Sequence, residues 1–120
     1  MTNYTNSWRP PSIEERNVLR RLAATEFDGR NEVLQQIEEC SVREIDANGS
    51  LAITVSPTRP LAAVRYRVPA EGEYQDIDGI AVHVLLHIVD GRVAELELYK
   101  EDNTAIQDRD GLEAMSVFAV

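Results

Sequence analysis

The sequence is short of cysteine and lysine, and both shortages limit what the protein can be. Cys40 is the single cysteine, so an intrachain disulfide and a cysteine cluster for zinc are excluded. Lys100 is the single lysine, and 12 basic residues against 21 acidic ones give a formal net charge of -9. Because proteins that bind nucleic acid or anionic membranes need clustered basic residues, we expect neither as a partner.

Long apolar runs are also absent. No segment approaches the roughly 18 apolar residues that indicate a membrane-spanning helix, and the start of the sequence lacks the basic and apolar regions of a secretory signal. The expected location is the cytoplasm. A length of 120 residues fits one hydrophobic core, so we expect a flexible N-terminal arm over residues 1–11 and a single domain over residues 12–120.

Two amphipathic helices are predicted in the first third of the sequence. Ser12 and Glu15 have the spacing of a capping box, and the apolar stripe that follows predicts a helix over about residues 13–24. Asp28-Gly29 indicates a turn, and a shorter apolar stripe predicts a second helix over about residues 30–39. Neither helix can bury its stripe on the other alone, so both require a sheet.

The remaining sequence predicts antiparallel strands. Alternating or β-branched runs lie at residues 42–45, 51–55, 64–68, 71–77, 80–89 and 92–100. The last three runs are joined by Asp78-Gly79 and Asp90-Gly91, a residue pair that favours two-residue hairpin turns. Such turns would place Tyr74 opposite His83 and Leu85 opposite Leu96. The expected fold is α+β, with two N-terminal helices packed on an antiparallel meander of five to six strands.

The predicted pairing suggests a binding surface. It places an apolar strip of Val82, Val84 and Leu86 between acidic residues of the neighbouring strands. Such a surface could dock a cationic protein or a second copy of the chain as a homodimer, while the simpler interpretation is a solvated sheet face. The candidate binding residues are Glu71, Glu73, Glu95, Glu97 and Tyr99.

His83 and His87 are candidate catalytic residues because imidazole changes charge near neutral pH. On a strand the two side chains lie roughly 13 Å apart, too far to share a zinc ion that holds nitrogen at about 2 Å. We therefore expect no metal site and no cofactor. The alternative is that both histidines hydrogen-bond locally, with Tyr74 as the partner of His83.

Four stretches of the sequence resemble a small bacterial family known only as a domain of unknown function. They are Trp8-Arg9-Pro10, the helix over residues 14–22, Phe27-Asp28-Gly29-Arg30, and the run Val-His-Val-Leu-Leu-His-Ile-Val-Asp-Gly-Arg-Val-Ala-Glu-Leu-Glu-Leu-Tyr-Lys at residues 82–100. The resemblance covers about residues 8–106. It implies a bacterial, cytoplasmic and uncharacterised protein, and it supplies no catalytic residue.

Two hypotheses about function follow. The first is a non-enzymatic protein-interaction module, inhibitory or immunity-like in kind, that uses the acid-edged sheet face. The alternative is a small hydrolase or isomerase with His83 or His87 as general base in a pocket between helices and sheet. The sequence favours the first, because none of the spacings that known catalytic motifs require is present.

Overall fold

The computed structural model describes residues 7–120. Within them the elements are α1 (Ile13–Ala23), α2 (Arg30–Glu38), β1 (Cys40–Glu44), β2 (Leu51–Val55), β3 (Ala70–Gln75), β4 (Ala81–Val89), β5 (Arg92–Lys100), a 3₁₀ helix (Asp110–Ala114) and β6 (Ser116–Ala119). The strands form one antiparallel sheet in the order β1-β2-β5-β4-β3-β6. The predicted α+β class is confirmed. No helix in this part of the chain is both long and apolar enough to cross a membrane.

Helix α1 begins with the predicted capping box. The Glu15 backbone N–H donates to Ser12 Oγ at 3.1 Å, and the Ser12 N–H donates to Glu15 Oε1 at 2.8 Å. Arg9 also donates to both Glu15 carboxylate oxygens, at 2.7 and 2.9 Å, and exchanges two backbone hydrogen bonds with Val42 of β1. Arg9 therefore ties the later part of the expected arm to the sheet, while residues 1–6 lie outside the described residues.

One face of the sheet packs against both helices. Buried and half-buried residues alternate along β4, and the buried ones share a single core with apolar residues of α1 and α2. The main core residues are Val18, Leu19, Leu22, Val33, Ile37, Val82, Val84, Leu86, Ile88, Leu96 and Leu98. Because successive strand residues point to opposite faces, the alternate residues of β3, β4 and β5 lie on the other face. No helix of residues 7–120 contacts that face.

Residues 64–68 do not form the predicted third strand. Their stretch of chain makes only scattered bonds to the end of the β4–β5 hairpin, where Ala62 N–H donates to Gly91 O at 2.9 Å and Ile88 N–H donates to Arg67 O at 2.7 Å. β4 already has β3 and β5 as its neighbours, so the end of the β4–β5 hairpin offers this segment no free edge of β4, and the segment is a loop. The sheet gains its sixth strand from β6 at the end of the chain instead.

The Asp78-Gly79 turn contains three residues rather than the predicted two. The Asp76 N–H donates to Ile80 O at 2.9 Å, and the Gly79 N–H donates to Asp76 O at 2.8 Å. Gly79 has a positive φ of 82°, whereas Asp78 does not. A type I turn closed by a glycine in the left-handed region explains this geometry and adds one residue to the loop.

The Asp90-Gly91 turn has the predicted two residues. Both have positive φ, 51° and 78°, as a type I′ turn requires. A β-bulge follows, however, because β5 carries one extra residue, Ala94, opposite the step between His87 and Ile88. Beyond this bulge the register of β5 against β4 is shifted by one residue.

Both predicted cross-strand pairs, Tyr74 with His83 and Leu85 with Leu96, are therefore wrong by one position. The observed pairs are Glu73 with His83, Glu71 with Leu85 and Leu85 with Glu97. Since a shift of one residue exchanges the two faces of a strand, β4 directs its histidines, and not its valines, toward the neighbouring glutamates.

A buried ionic cluster supports the first turn. Lys100 Nζ lies 2.9 Å from Asp76 Oδ2 and 2.5 Å from Asp78 Oδ2, and the Lys100 and Asp76 side chains are fully buried. Burial acts to raise the pKa of Asp76, but hydrogen bonds from the backbone of Gln107, from Lys100 and from further backbone N–H groups lower it more, so the net shift is downward. The cluster also fixes the chain after β5, since Gln107 and Asp108 N–H groups donate to Asp76.

A buried amide supports the second turn. Gln36 of α2 is inaccessible to solvent. Its Nε2 donates to the carbonyl oxygens of Pro60 and Gly91, both at 2.9 Å, and its Oε1 accepts from the Val93 N–H at 2.9 Å. One side chain thus satisfies three backbone groups next to the bulge.

Candidate functional site: an acid-rich sheet face

Every candidate binding or catalytic residue of the sequence lies on the sheet face that the helices leave uncovered. Across β3, β4 and β5 the paired residues form rows, and these residues define the outer face: Glu73, His83 and Tyr99; Glu71, Leu85 and Glu97; His87 and Glu95. The expected apolar strip of Val82, Val84 and Leu86 is wrong, because these three residues are buried in the core.

His83 lies in a half-buried position between two carboxylates. Its ring stacks on Tyr99, with centroids 5.0 Å apart. Its nitrogens are 3.6 Å from Glu73 Oε1 and 3.5 Å from Glu101 Oε1, longer than a hydrogen bond. The expected partner Tyr74 lies on the opposite face, where its hydroxyl donates to Asp108 O at 2.8 Å.

His87 has both ring nitrogens occupied. Arg67 Nε donates to Nδ1 at 3.0 Å, and Nε2 lies 2.8 Å from Glu97 Oε1. Because Nδ1 accepts, the hydrogen of the neutral ring must be on Nε2, from which it is donated to Glu97. Both ring nitrogens of His87 are therefore engaged in hydrogen bonds that fix the orientation of the ring.

One cluster on the outer face has ligand atoms at metal-binding spacing. His87, Glu95 and Glu97 each offer one atom, all within 4.8 Å of one another. A metal at His87 Nε2 would move the ring hydrogen to Nδ1, toward the Arg67 Nε–H that already points there. Metal-bound histidines normally donate that second N–H to an acceptor. The donor set therefore does not suit a metal while Arg67 keeps its contact.

The structure contradicts the position expected for a histidine base in a pocket between helices and sheet. A cavity of about 280 Å³ does lie between α1 and the sheet, but no histidine lines it. Both imidazoles are on the outer face, on the far side of β4 from the helices. The cavity and the histidine side chains, both of which that hypothesis requires, lie on opposite sides of the sheet.

The outer face is strongly acidic and contains apolar side chains. Glu71, Glu73, Glu95, Glu97 and Glu101 lie on it or at its margin. The Arg67 guanidinium donates to His87 on this face, and the Arg43 guanidinium lies over the Trp8 ring. Glu71 and Glu95 make no hydrogen bond or ion pair within residues 7–120. Burial, and then the charges of Glu97 and Glu71, raise the pKa of Tyr99, which keeps its phenol neutral.

Two apolar residues of this face were not singled out from the sequence. Leu85 lies at the centre of the rows, and Phe118 of β6 pairs with Glu71 and keeps 45% of its surface exposed. The alternation along β4 could have placed Leu85 on this face, because Leu85 lies two residues from each histidine. Phe118 could not be placed, since the pairing of β6 with β3 joins residues that are more than 40 positions apart.

Comparison with known proteins gives a family and no activity. A family model described as "Domain of unknown function (DUF6984)" matches residues 8–110. No curated protein and no solved structure matches the chain. The expected resemblance to an uncharacterised family is confirmed, and bacterial origin stays a prediction.

Proposed function

From the surface of the chain, which belongs to the family of domains of unknown function DUF6984, we propose that it is a protein-interaction module. Membership of this family assigns no activity. The outer face binds a cationic protein partner, with the cytoplasm as the proposed compartment. The observation that carries the proposal is a set of glutamates around the exposed Phe118 and the half-buried Leu85 and Tyr99, on a sheet face without a covering helix.

Charge and shape support a cationic partner. Glu71 and Glu95 have no cation of their own within the described residues, so an incoming lysine or arginine would complete their pairing. Charges at such a surface steer association and raise its rate. Leu85, Phe118 and Tyr99 supply the apolar and aromatic contacts that contribute most of the affinity in protein interfaces.

A second copy of the chain is a poorer occupant of the same face. A twofold homodimer places one patch against itself, so the glutamates of one copy would face those of the other. Like charges brought together in this way cost free energy. The acidic face therefore favours a different protein over self-association.

The test places a photoreactive phenylalanine analogue at Phe118 in the native host. Tyr66 is the matched control, since it is an aromatic residue with 52% of its surface exposed in the loop before β3. The expected result is a covalent adduct of one basic protein from position 118 and none from position 66. Equal capture at both positions, or an adduct with a second copy of this chain, would refute the proposal.

The purified partner then allows a quantitative measurement. The Glu71→Arg/Glu95→Arg variant should bind at least about tenfold more weakly, mainly through slower association, and the difference should shrink in high salt. The Glu26→Arg/Glu32→Arg variant changes two carboxylates near the start of α2 and should bind normally. Equal loss in both variants would mean that net charge, and not the outer face, controls binding.

A further inference from the structure

The cavity between α1 and the sheet is built by four separate parts of the chain. Its volume is about 280 Å³, and its lining includes the apolar side chains of Val18, Leu96, Leu98 and Leu112. This volume is slightly below the roughly 300–1,000 Å³ of most small-molecule sites. The occupant must therefore be small, and its body must be apolar.

The 3₁₀ helix closes one side of the cavity and is held there by two arginines. Arg21 of α1 donates to the carbonyl oxygens of Leu112, Glu113 and Met115 at 3.2, 2.9 and 2.6 Å. Arg109 donates to Ala47 O in the β1–β2 hairpin. These contacts fix the wall, and they engage the guanidinium groups of both arginines, which also line the cavity, with backbone oxygens.

Carboxylates outnumber guanidinium groups in the lining of the cavity by five to two. Glu14, Asp110 and Glu113 line the cavity, and their carboxylates make no hydrogen bond or ion pair within residues 7–120. Glu15 and Glu44 also line it but share the single Arg9 guanidinium. An apolar interior below unpaired carboxylates is complementary to a cation with an apolar body.

We propose that this cavity binds a small organic cation, an amine or a guanidine attached to an apolar group. The apolar group lies against Leu96, Leu98 and Leu112, and the cation remains at the rim near Glu14 and Glu113. The site is on the opposite side of the sheet from the outer face, so it does not depend on the proposed protein-interaction function.

The test follows backbone amide NMR shifts of the whole chain during titration with three probes. Phenethylamine carries both the ring and the ammonium, phenylacetate replaces the ammonium by a carboxylate, and ethylamine lacks the ring. The expected result is saturable shifts with phenethylamine at Val18, Leu98 and Leu112, and at least tenfold weaker binding of the other two probes. Absent saturation, equal binding of phenylacetate, or shifts confined to Glu95 and Glu97 would overturn the proposal.

Variants separate the charge from the cavity. Glu14→Gln/Glu113→Gln should lower the affinity for phenethylamine about fivefold, as expected for two exposed charge pairs. Glu26→Gln/Glu32→Gln removes two carboxylates elsewhere and should leave the affinity unchanged. Leu112→Trp should fill the cavity and abolish binding, with thermal unfolding as the check that it folds; if it does not, the glutamine variants still decide. Equal affinity in both glutamine variants would contradict the cation preference.

Discussion

The two aspartate–glycine turns of the sheet have the same dipeptide and different structures. Asp90-Gly91 forms a two-residue turn with both residues at positive φ, whereas Asp78-Gly79 belongs to a three-residue loop with only the glycine there. A buried side chain from another part of the chain supports each turn, Gln36 for the former and Lys100 for the latter. The dipeptide marks where the chain reverses. The two loop lengths, two and three residues, each occur with a different buried partner.

This difference decides what the outer face contains. The extra loop residue before β4 and the bulge after it both shift β4 by one position against its neighbours. As a result His83, Leu85 and His87 lie among the glutamates, and four apolar residues of the strand enter the core: Val82, Val84, Leu86 and Ile88. Changes that act on one turn but not on the other test this account.

The largest effect is expected from Lys100→Met. It leaves Asp76 and Asp78 without their shared cation, and Asp76 is fully buried. Removing one partner of a buried ion pair is far more costly than the net contribution of the pair. We expect the Tm to fall by roughly 15–20 °C for a domain of this size, measured by calorimetry or circular dichroism at pH 7.

The pH dependence checks the cause of that loss. Because the folded-state pKa of Asp76 is lowered from its ordinary value of 3.8, its contacts stabilise the fold above about pH 4 and cease to do so as pH falls through the folded-state pKa. The gap between Lys100→Met and the natural chain should therefore narrow in acid. The Asp76→Asn/Lys100→Met double variant should lose less than the sum of the single losses; additive losses would contradict a shared cluster.

Gln36→Leu should have the next largest effect, on the other turn. It removes the hydrogen-bond partners of Pro60 O and Val93 N–H without supplying new ones, while Gly91 O keeps only the bond from Ala62 N–H. With two or more backbone groups left unpaired in the interior, the free energy of unfolding should fall by about 3 kcal/mol. Gln35→Leu, at the exposed neighbouring position, is the control and should change it by less than about 0.5 kcal/mol.

The smallest effects are expected from alanine substitution of the two turn glycines, Gly79 and Gly91. Alanine at either position meets a left-handed φ that costs about 1 kcal/mol. At Gly79 the added Cβ has no atom within 4 Å, whereas at Gly91 it lies 3.0 Å from the Leu61 Cβ and 3.3 Å from Ala62 O. We expect losses of about 1 kcal/mol for Gly79→Ala and about 2 kcal/mol for Gly91→Ala in urea unfolding. A larger loss at position 79 would contradict the contact geometry.

Local patterns predicted the elements well. The capping box at Ser12 and Glu15, both helices, the alternation of β4 and the places where the chain reverses all follow from residues close together in sequence. Residues 64–68 satisfied the same strand pattern but lie beside β4, which is already paired on both sides. Alternation alone does not show whether a neighbouring position in the sheet is free.

The candidate site depended on register, which local patterns do not contain. The three-residue loop at Asp78-Gly79 is accompanied by a contact between Asp78 and Lys100, about twenty residues away. The bulge at Ala94 is accompanied by a hydrogen bond from the neighbouring Val93 N–H to Gln36 of α2. One signal was available in the sequence. Lys100 has the same phase as Leu96 and Leu98 along β5, which places a charged residue on the core side.

The burial of Lys100 also affects how the folded protein reacts with chemical reagents. It is the single lysine of the sequence, and its ammonium group is enclosed between two carboxylates. The native fold therefore presents no lysine amine to acylating reagents or to enzymes that modify lysine, and every basic side chain it presents to solvent is an arginine or a histidine. The rate of acylation of Lys100 would accordingly measure how often the core opens.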